Sequence, residues 1–305
     1  MSSKSEEDFV KNLDSRRPIK SMFVISEKTL KKGKNNKFYI DLRLSDNTGE
    51  IIGRIFAENV KETLESLDEG EVYEIEGTVN EFPRGSGQFN IIIKDFDELS
   101  DGKYDLNDFI ITSDQDQYEL IMEIKNTIDN IKDEHLKELL VCFFDDEKFT
   151  LRFYDSPSAK FYHHNYIAGL LEHTVGVLKL CKQICEFYPD LDADLLYTGA
   201  ILHDIGKLDA YQYNKYATCI TLSEEGELLD HLFISCEMVN EKLKKIEMPE
   251  NVKNKLLHLI LSHHGDVKNG WGSPVSPQIP EAVALHHADN LDAKVKGMLQ
   301  NPVRK

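Results

Sequence analysis

The hydrophobic pattern of this chain changes period once, near residue 111, and that change limits what the chain can fold into. Before it, apolar and polar residues alternate, which is typical of half-buried strands. After it, apolar residues recur at every third or fourth position, which is typical of amphipathic helices. The sequence therefore predicts a multidomain protein of class α and β, with a strand-rich first part and an all-α second part.

The first part, residues 1–105, has the strand order of an OB-fold barrel. Its alternating segments include FYIDLRLSD (38–46), IIGRIF (51–56), VYEIEGTV (72–79) and FNIIIKDF (89–96), and a first strand precedes them. A short helical stretch separates the third strand from the fourth. This order predicts a five-stranded OB-fold barrel, in which the loop after the first strand helps to hold single-stranded nucleic acid. The second part, residues 106–305, is predicted to be all-α.

Several classes of protein are excluded or disfavoured by composition. No run of 18 apolar residues is present, so no membrane-spanning helix is expected. The start, MSSKSEEDFV, lacks the apolar core of a secretory signal, which indicates a cytoplasmic protein. The five cysteines are interpreted as buried thiols in a reducing compartment.

Charge is distributed unevenly along the chain. Lys and Arg number 36 against 54 Asp and Glu, and the net charge of −18 disfavours indiscriminate binding to duplex DNA. Between residues 16 and 37, however, one acid stands among eight basic residues, which are Arg16, Arg17, Lys20, Lys28, Lys31, Lys32, Lys34 and Lys37. We call these eight residues the basic run. It covers the first strand and the following loop of the predicted barrel, and is interpreted as a solvated face or as a strip that binds the nucleic-acid backbone.

Residue types that can bind metal ions are concentrated in the helical part. Ten of the 11 histidines fall between His163 and His287. In ILHDIGKL (201–208), His203 and Asp204 lie inside an apolar helix, where burying them is costly unless a partner such as a metal ion binds them. Further candidates in similar surroundings are His173, His231, His263, His264 and Asp289.

The order His, His-Asp, His, His-His, Asp resembles the HD superfamily of metal-dependent phosphohydrolases in its two-metal form. The stretches SPSAKFYHHNYIAGLLEHTVGV (156–177), ILHDIGKL and WGSPVSPQIPEAVALHHADNLDAK (271–294) resemble the YhaM-type 3′–5′ exoribonucleases of Gram-positive bacteria. That family joins an N-terminal OB-fold to a C-terminal HD domain, so the resemblance covers nearly the whole chain.

The resemblance implies a ligand set for two divalent ions. The first ion would be bound by His173, His203, Asp204 and Asp289, and Asp204 would bridge to a second ion bound by His231, His263 and His264. A one-metal site, with the last three residues only supporting it, is the alternative. Imidazole and carboxylate ligands suit Mn²⁺, Co²⁺, Fe²⁺ or Zn²⁺ better than Mg²⁺, and Mn²⁺ is the ion we expect.

Other residues in these stretches are expected to have auxiliary roles. Lys207 is expected to neutralise a phosphate oxygen. Lys160 and His164 are expected to do the same or to protonate the leaving oxygen. Trp271 either stacks on a base or anchors its loop. One of His286 and His287 is expected to support Asp289, and His163 is interpreted as a packing or surface residue.

Together the two parts predict a metal-dependent nuclease that binds single-stranded RNA, with single-stranded DNA as a further substrate. The direction, 3′ to 5′, comes from the resemblance alone. Two alternatives remain at this point: a phosphodiesterase or phosphatase acting on a free or cyclic nucleotide, and a non-catalytic nucleic-acid-binding protein. The sequence also leaves open whether the protein forms a homo-oligomer.

Overall fold

The computed structural model describes residues 3–14, 16–33, 36–159, 164–214, 216, 220–270 and 272–300. The chain forms two compact units. The first comprises Met1–Ile111 and Tyr213–Cys219, and the second comprises Thr112–Gln212 and Ile220–Lys305. The predicted fold class, a five-stranded OB-fold barrel followed by a helical domain, is confirmed. The boundary expected between residues 105 and 106 stays a prediction.

The first unit is a closed barrel with the strand order β1-β2-β3-β5-β4. Neighbouring strands are antiparallel, except that β3 and β5 pair in parallel to close the barrel. Two short 3₁₀ turns, Glu6–Asp8 and Val10–Asn12, precede it. Its elements are β1 (Pro18–Lys32), β2 (Phe38–Asp46), β3 (Gly49–Ile55), α1 (Val60–Glu65), β4 (Val72–Glu81) and β5 (Phe89–Glu98).

Alternation along the strands sorts the side chains between the barrel core and its outer face. In β2, Ile40, Leu42 and Leu44 are fully buried in the core. Because successive side chains of a strand point to opposite faces, Tyr39 and Asp41 lie on the outer side. This outer side of β2 contributes to the groove described below.

One part of the first unit comes from late in the chain. Strands β6 (Tyr211–Tyr213) and β7 (Ile220–Leu222) form a small two-stranded sheet, and the segment between them belongs to the first unit. Tyr216 in this segment is fully buried, and its ring centroid lies 6.4 Å from that of Tyr104 and 6.0 Å from that of Phe109. The first unit is therefore discontinuous in sequence.

The second unit is helical around an apolar core. Aspartates at positions 116, 133, 146 and 192 accept hydrogen bonds from backbone N–H groups of the first turns of α2, α3, α4 and α6, which fixes where those helices begin. The helices are α2 (Gln117–Asn130), α3 (Glu134–Phe144), α4 (Glu147–Asp155), α5 (Gly169–Phe187), α6 (Ala193–Leu202), α7 (Lys207–Ala210), α8 (Glu224–Leu243), α9 (Glu250–Ser262) and α10 (Pro280–Gln300).

Close packing of the turn after α6 against α8 brings candidate site residues together. A Cβ atom on Gly206 would lie 2.2 Å from the carbonyl oxygen of His231 and 2.5 Å from the backbone nitrogen of Ser235. Only glycine fits here, because any side chain would overlap the α8 backbone. None of the described helices has the length and apolar composition needed to cross a membrane.

Candidate metal centre and nucleic-acid interface

Four imidazole rings in the second unit are fixed in the same way, each through its Nδ1 atom. In His203 and His263, Nδ1 lies 2.8 Å and 2.7 Å from the carbonyl oxygens of Ala200 and Ile260. A carbonyl oxygen can only accept, so Nδ1 carries the hydrogen and Nε2 is left to bind elsewhere. The other two rings are held by carboxylates: Asp292 lies 2.7 Å from Nδ1 of His173, and Asp230 lies 2.8 Å from Nδ1 of His231.

The four Nε2 atoms converge on Asp204. Its Oδ2 atom lies 3.3 Å from Nε2 of both His173 and His203. Its Oδ1 atom lies 3.4 Å from Nε2 of His231 and 3.6 Å from Nε2 of His263. Each oxygen of this one carboxylate therefore faces a separate pair of imidazoles.

Two further candidate ligands lie beside Asp204, Asp289 on the Oδ2 side and His264 on the Oδ1 side. Oδ1 of Asp289 lies 3.2 Å from Nε2 of His173, on the Oδ2 side. On the Oδ1 side, His264 offers a ring nitrogen that lies within 4.8 Å of ligand atoms on His231 and His263. The structure thus brings together all seven residues that the sequence nominated as metal ligands.

The donor atoms of this cluster fit a bound cation. Three of its buried atoms have no hydrogen-bond partner among the described residues: Oδ1 of Asp204, Nε2 of His231 and Nε2 of His263. Buried polar atoms in native proteins are nearly always partnered, so three converging orphan atoms indicate a shared ligand. A carboxylate oxygen and two imidazole nitrogens are donor types that divalent metal ions bind, so this set of atoms fits a cation.

Electrostatics keep Asp204 and His263 in the protonation states that metal binding requires. Burial alone would raise the pKa of Asp204, but Lys207 and His203 outweigh it and hold the pKa well below its ordinary value. Burial, with further contributions from His264 and His203, lowers the pKa of His263 well below its ordinary value. At neutral pH the carboxylate is therefore ionised and the His263 imidazole neutral.

His173 differs from His263 because three carboxylates surround it. Burial would lower its pKa, but hydrogen bonds to Asp204, Asp289 and Asp292 outweigh burial and raise the pKa well above its ordinary value. The surroundings of His173 therefore favour positive charge at its Nε2 atom. A divalent ion bound there would replace the proton.

Lys207 lies on the Oδ2 side of the cluster. Its Nζ atom is 2.6 Å from Oδ2 of Asp204 and 3.4 Å from Oγ of Ser158. Burial would lower its pKa, but the charge of Asp204 outweighs burial, so the pKa is raised and the side chain is cationic. A buried cation beside the candidate metal ligands is suited to neutralise an anionic substrate group.

His164, His286 and His287 lie in different surroundings. His164 is 1% exposed, and its Nε2 atom lies 2.9 Å from Oδ2 of Asp292, while its expected role at the leaving oxygen stays a prediction. Nδ1 of His286 lies 2.8 Å from the carbonyl oxygen of His263, whereas His287 is exposed. Lys34, Lys160, His163 and Trp271 lie outside the described residues.

Sequence reasoning missed the two aspartates that hold His173 and His231. Asp292 follows Asp289 by three positions on α10, and Asp230 directly precedes His231 on α8. Helical spacing gives a signal for Asp292, since residues three apart share a face. Asp230 interrupts the helix with φ 64° and ψ 151°, a strained conformation for a residue with a Cβ, and such strain concentrates at functional sites.

In the first unit, much of the basic run already has partners. Lys20 pairs with Glu74 at 3.2 Å, and Lys31 pairs with Asp41 at 2.6 Å. Arg17 pairs with Asp8 at 2.7 Å. These acids lower the net positive charge of the strip that the sequence suggested as a backbone-binding surface.

A groove of 1380 Å³ on the barrel offers a different kind of surface. Phe38, Phe56 and Phe82 line it with 51%, 63% and 61% of their surface exposed. Tyr39 stacks on Phe56 with ring centroids 5.5 Å apart and an interplanar angle of 29°. The Cζ atom of Arg54 lies 6.0 Å from the ring centroid of Phe82, and the same side chain pairs with Asp41 at 3.0 Å. We call these five residues the aromatic groove. Exposed rings with an adjacent cation are typical of surfaces that stack nucleic-acid bases.

Comparison with known proteins agrees with both halves of this description. The family model for the HD domain matches residues 170–294, and the model for an OB-fold nucleic acid binding domain matches residues 24–99. The 3′-5′ exoribonuclease YhaM of Shouchella clausii is 34% identical over 280 residues, which cover 92% of this chain and 85% of that protein. The chain belongs to the YhaM family of 3′-5′ exoribonucleases.

A second YhaM relative matches this chain over a similar length. The YhaM of Bacillus subtilis is 31% identical over 265 residues, which cover 87% of this chain and 81% of that protein. Among solved structures, a mitochondrial single-stranded DNA-binding protein of S. cerevisiae covers 29% of this chain and 97% of its own, at 21% identity and a TM-score of 0.23. The family resemblance expected from the sequence is confirmed, and the protein is a hydrolase whose HD domain depends on a divalent metal.

Proposed function

We propose that this protein degrades single-stranded RNA from its 3′ end by hydrolysis at a two-metal centre. The observation that carries the proposal is the position of Asp204, whose two oxygens face two separate pairs of imidazole nitrogens. A carboxylate in that position is suited to bridge two cations. The names of the YhaM relatives supply the substrate and the direction.

The ligands divide between the two proposed ions according to the oxygen of Asp204 that they face. His173, His203 and Asp289 would bind one ion with Oδ2, and His231, His263 and His264 would bind the other with Oδ1. Nitrogen donors mixed with carboxylates suit Mn²⁺, which we propose as the ion, better than Mg²⁺. When bound, the ions supply activation of water and compensation for the negative charge that develops at phosphorus.

The chain's own residues bind and orient the phosphodiester. Water attacks phosphorus, the P–O3′ bond breaks, and the shortened strand keeps a 3′-hydroxyl while a nucleoside 5′-monophosphate leaves. Lys207, cationic beside Asp204, would neutralise a non-bridging phosphate oxygen as this happens. The Nδ1 hydrogen bonds of the imidazoles hold the ligands in place, so that little reorganisation accompanies the reaction.

The aromatic groove would contribute more to binding of the RNA strand than the basic run. Exposed rings stack on bases without regard to sequence, which suits an enzyme that must process every nucleotide in turn. Lys32 adds charge at the edge of this groove, because its Nζ atom lies 5.9 Å from the ring centroid of Phe38.

Two exposed lysines of β1 give a matched test of the basic run. We expect Lys32→Gln to weaken RNA binding and to reduce the slope of log affinity against log salt by about one, because one phosphate contact is lost. Lys20→Gln removes an equal charge, but Glu74 already offsets Lys20, so we expect less than about a threefold change in affinity. The measurement is fluorescence anisotropy with a labelled single strand at several salt concentrations. Equal effects of both changes would contradict the assignment.

The proposed activity is tested with metal-stripped protein and an RNA labelled at its 5′ end. We expect a ladder that shortens from the 3′ end when Mn²⁺ is added, and no shortening without metal. Unlabelled single-stranded RNA should compete, whereas a cyclic nucleotide should not. Hydrolysis of a small nucleotide, with intact RNA under every metal, would instead identify a nucleotide phosphodiesterase.

A further inference from the structure

We propose that Asp292 is a positioning residue that fixes His173 for metal binding, an inference that rests on the proposed metal centre. Oδ2 of Asp292 lies 2.7 Å from Nδ1 of His173, while Nε2 of the same ring lies 3.2 Å from Asp289 and 3.3 Å from Asp204. Asp292 therefore contacts the side of the ring opposite to the candidate ligands.

The chemistry of that contact determines which ring nitrogen can bind a cation. An ionised carboxylate only accepts hydrogen bonds, so Nδ1 must carry a hydrogen and Nε2 is directed at the metal position. A carboxylate hydrogen-bonded to a ligating imidazole also makes the other nitrogen a stronger donor.

Gly176 supplies an independent observation, because it makes room for Asp292. It lies three residues after His173 within α5, where glycine is less favourable than alanine by about 1 kcal/mol. A Cβ atom at this position would lie 2.4 Å from Oδ1 of Asp292. Glycine at this position leaves the space of a side chain to the carboxylate of Asp292. The close approach of Asp292 to α5 therefore indicates a role for this contact.

A second histidine, His164, contacts the same oxygen atom of Asp292 as His173 does. Nε2 of His164 lies 2.9 Å from Oδ2 of Asp292, and Nδ1 of His164 lies 3.1 Å from the hydroxyl of Tyr166. Tyr166 in turn donates to Glu172, which also accepts a hydrogen bond from Lys296 at 2.6 Å. The position of His173 is thus set by a chain of buried polar contacts within the second unit.

The test is the affinity of the metal-stripped, full-length protein for Mn²⁺, measured by titration calorimetry without RNA. Asp292→Asn keeps the shape of the side chain, but its amide is uncharged and only one of its two terminal atoms can accept a hydrogen bond. We expect Mn²⁺ binding to weaken about 10- to 100-fold, and kcat to fall with the KM for RNA unchanged. Glu281→Gln is the control, because it alters another carboxylate of α10, which accepts a hydrogen bond from the backbone of Asp192.

Gly176→Ala gives a second route to the same outcome without touching the carboxylate itself. If Asp292 positions His173, the added methyl group displaces Asp292 and weakens Mn²⁺ binding, although alanine favours the helix. Unchanged Mn²⁺ affinity in folded Asp292→Asn and Gly176→Ala proteins would overturn the proposal and leave Asp292 as a packing residue. Because the readout is metal binding, wild-type protein that binds Mn²⁺ yet leaves RNA intact would refute the proposed function alone.

Discussion

Replacing Asp204 by asparagine should reduce RNA hydrolysis on the order of 10³-fold or more while leaving RNA binding nearly unchanged. Asparagine keeps one oxygen, so it cannot face both pairs of imidazoles as a charged bridge. The aromatic groove, which is the proposed RNA-binding surface, lies in the first unit of the chain and does not include Asp204. Single-turnover kinetics with Mn²⁺ and fluorescence anisotropy with labelled RNA would separate the two effects.

Stability must be controlled in that experiment, because Asp204 also pairs with Lys207 inside the protein. A buried lysine that loses its partner destabilises a protein by about 3–5 kcal/mol. The double variant Asp204→Asn/Lys207→Met removes the unpaired charge, so we expect it to recover much of the lost stability and none of the activity. Activity of the Asp204→Asn variant within tenfold of wild type would rule out a bridging role.

Removing rings from the aromatic groove should have the second largest effect, on affinity rather than on chemistry. Stacking of one base on an aromatic side chain contributes about 1–3 kcal/mol. We therefore expect Phe56→Ala and Phe82→Ala each to raise the Kd for single-stranded RNA about 5- to 150-fold. Both rings are more than half exposed, so the barrel core is not altered.

Phe187→Ala is the matched control for the groove, since Phe187 is 78% exposed and lies on α5 in the other unit. We expect it to leave RNA affinity unchanged. At saturating RNA, kcat of the groove variants should equal that of wild type. If Phe56→Ala, Phe82→Ala and Phe187→Ala bind RNA equally well, the groove has no part in binding the strand.

The sequence predicted the fold and the candidate ligands because both leave local signals. A change of hydrophobic period marks the passage from barrel to helices, and a His-Asp pair inside an apolar helix, as in His203 and Asp204, requires a polar partner wherever the helix packs. Neither inference depends on knowing which residues form tertiary contacts.

The residues that the sequence did not reveal are those whose roles depend on contacts between distant parts of the chain. Asp292 contacts His173, which is 119 positions earlier in the chain. Its spacing from Asp289 places it on the same helix face, but the sequence does not show which histidine it meets. The same holds for the basic run, because Glu74 and Asp41, which pair with Lys20 and Lys31, lie on neighbouring strands. His164 shows the same limit, since only the fold reveals that its ring is buried against Asp292.

The discontinuity of the first unit has a consequence for how the protein matures on the ribosome. Tyr216, which packs with Tyr104 and Phe109, leaves the ribosome 107 residues after Phe109. At synthesis rates of about 5–20 residues per second, that interval lasts roughly 5–20 s. During that time the barrel strands have been synthesised but one aromatic cluster lacks its last ring. The barrel therefore reaches its final packing only after His173, His203 and Asp204 have been synthesised.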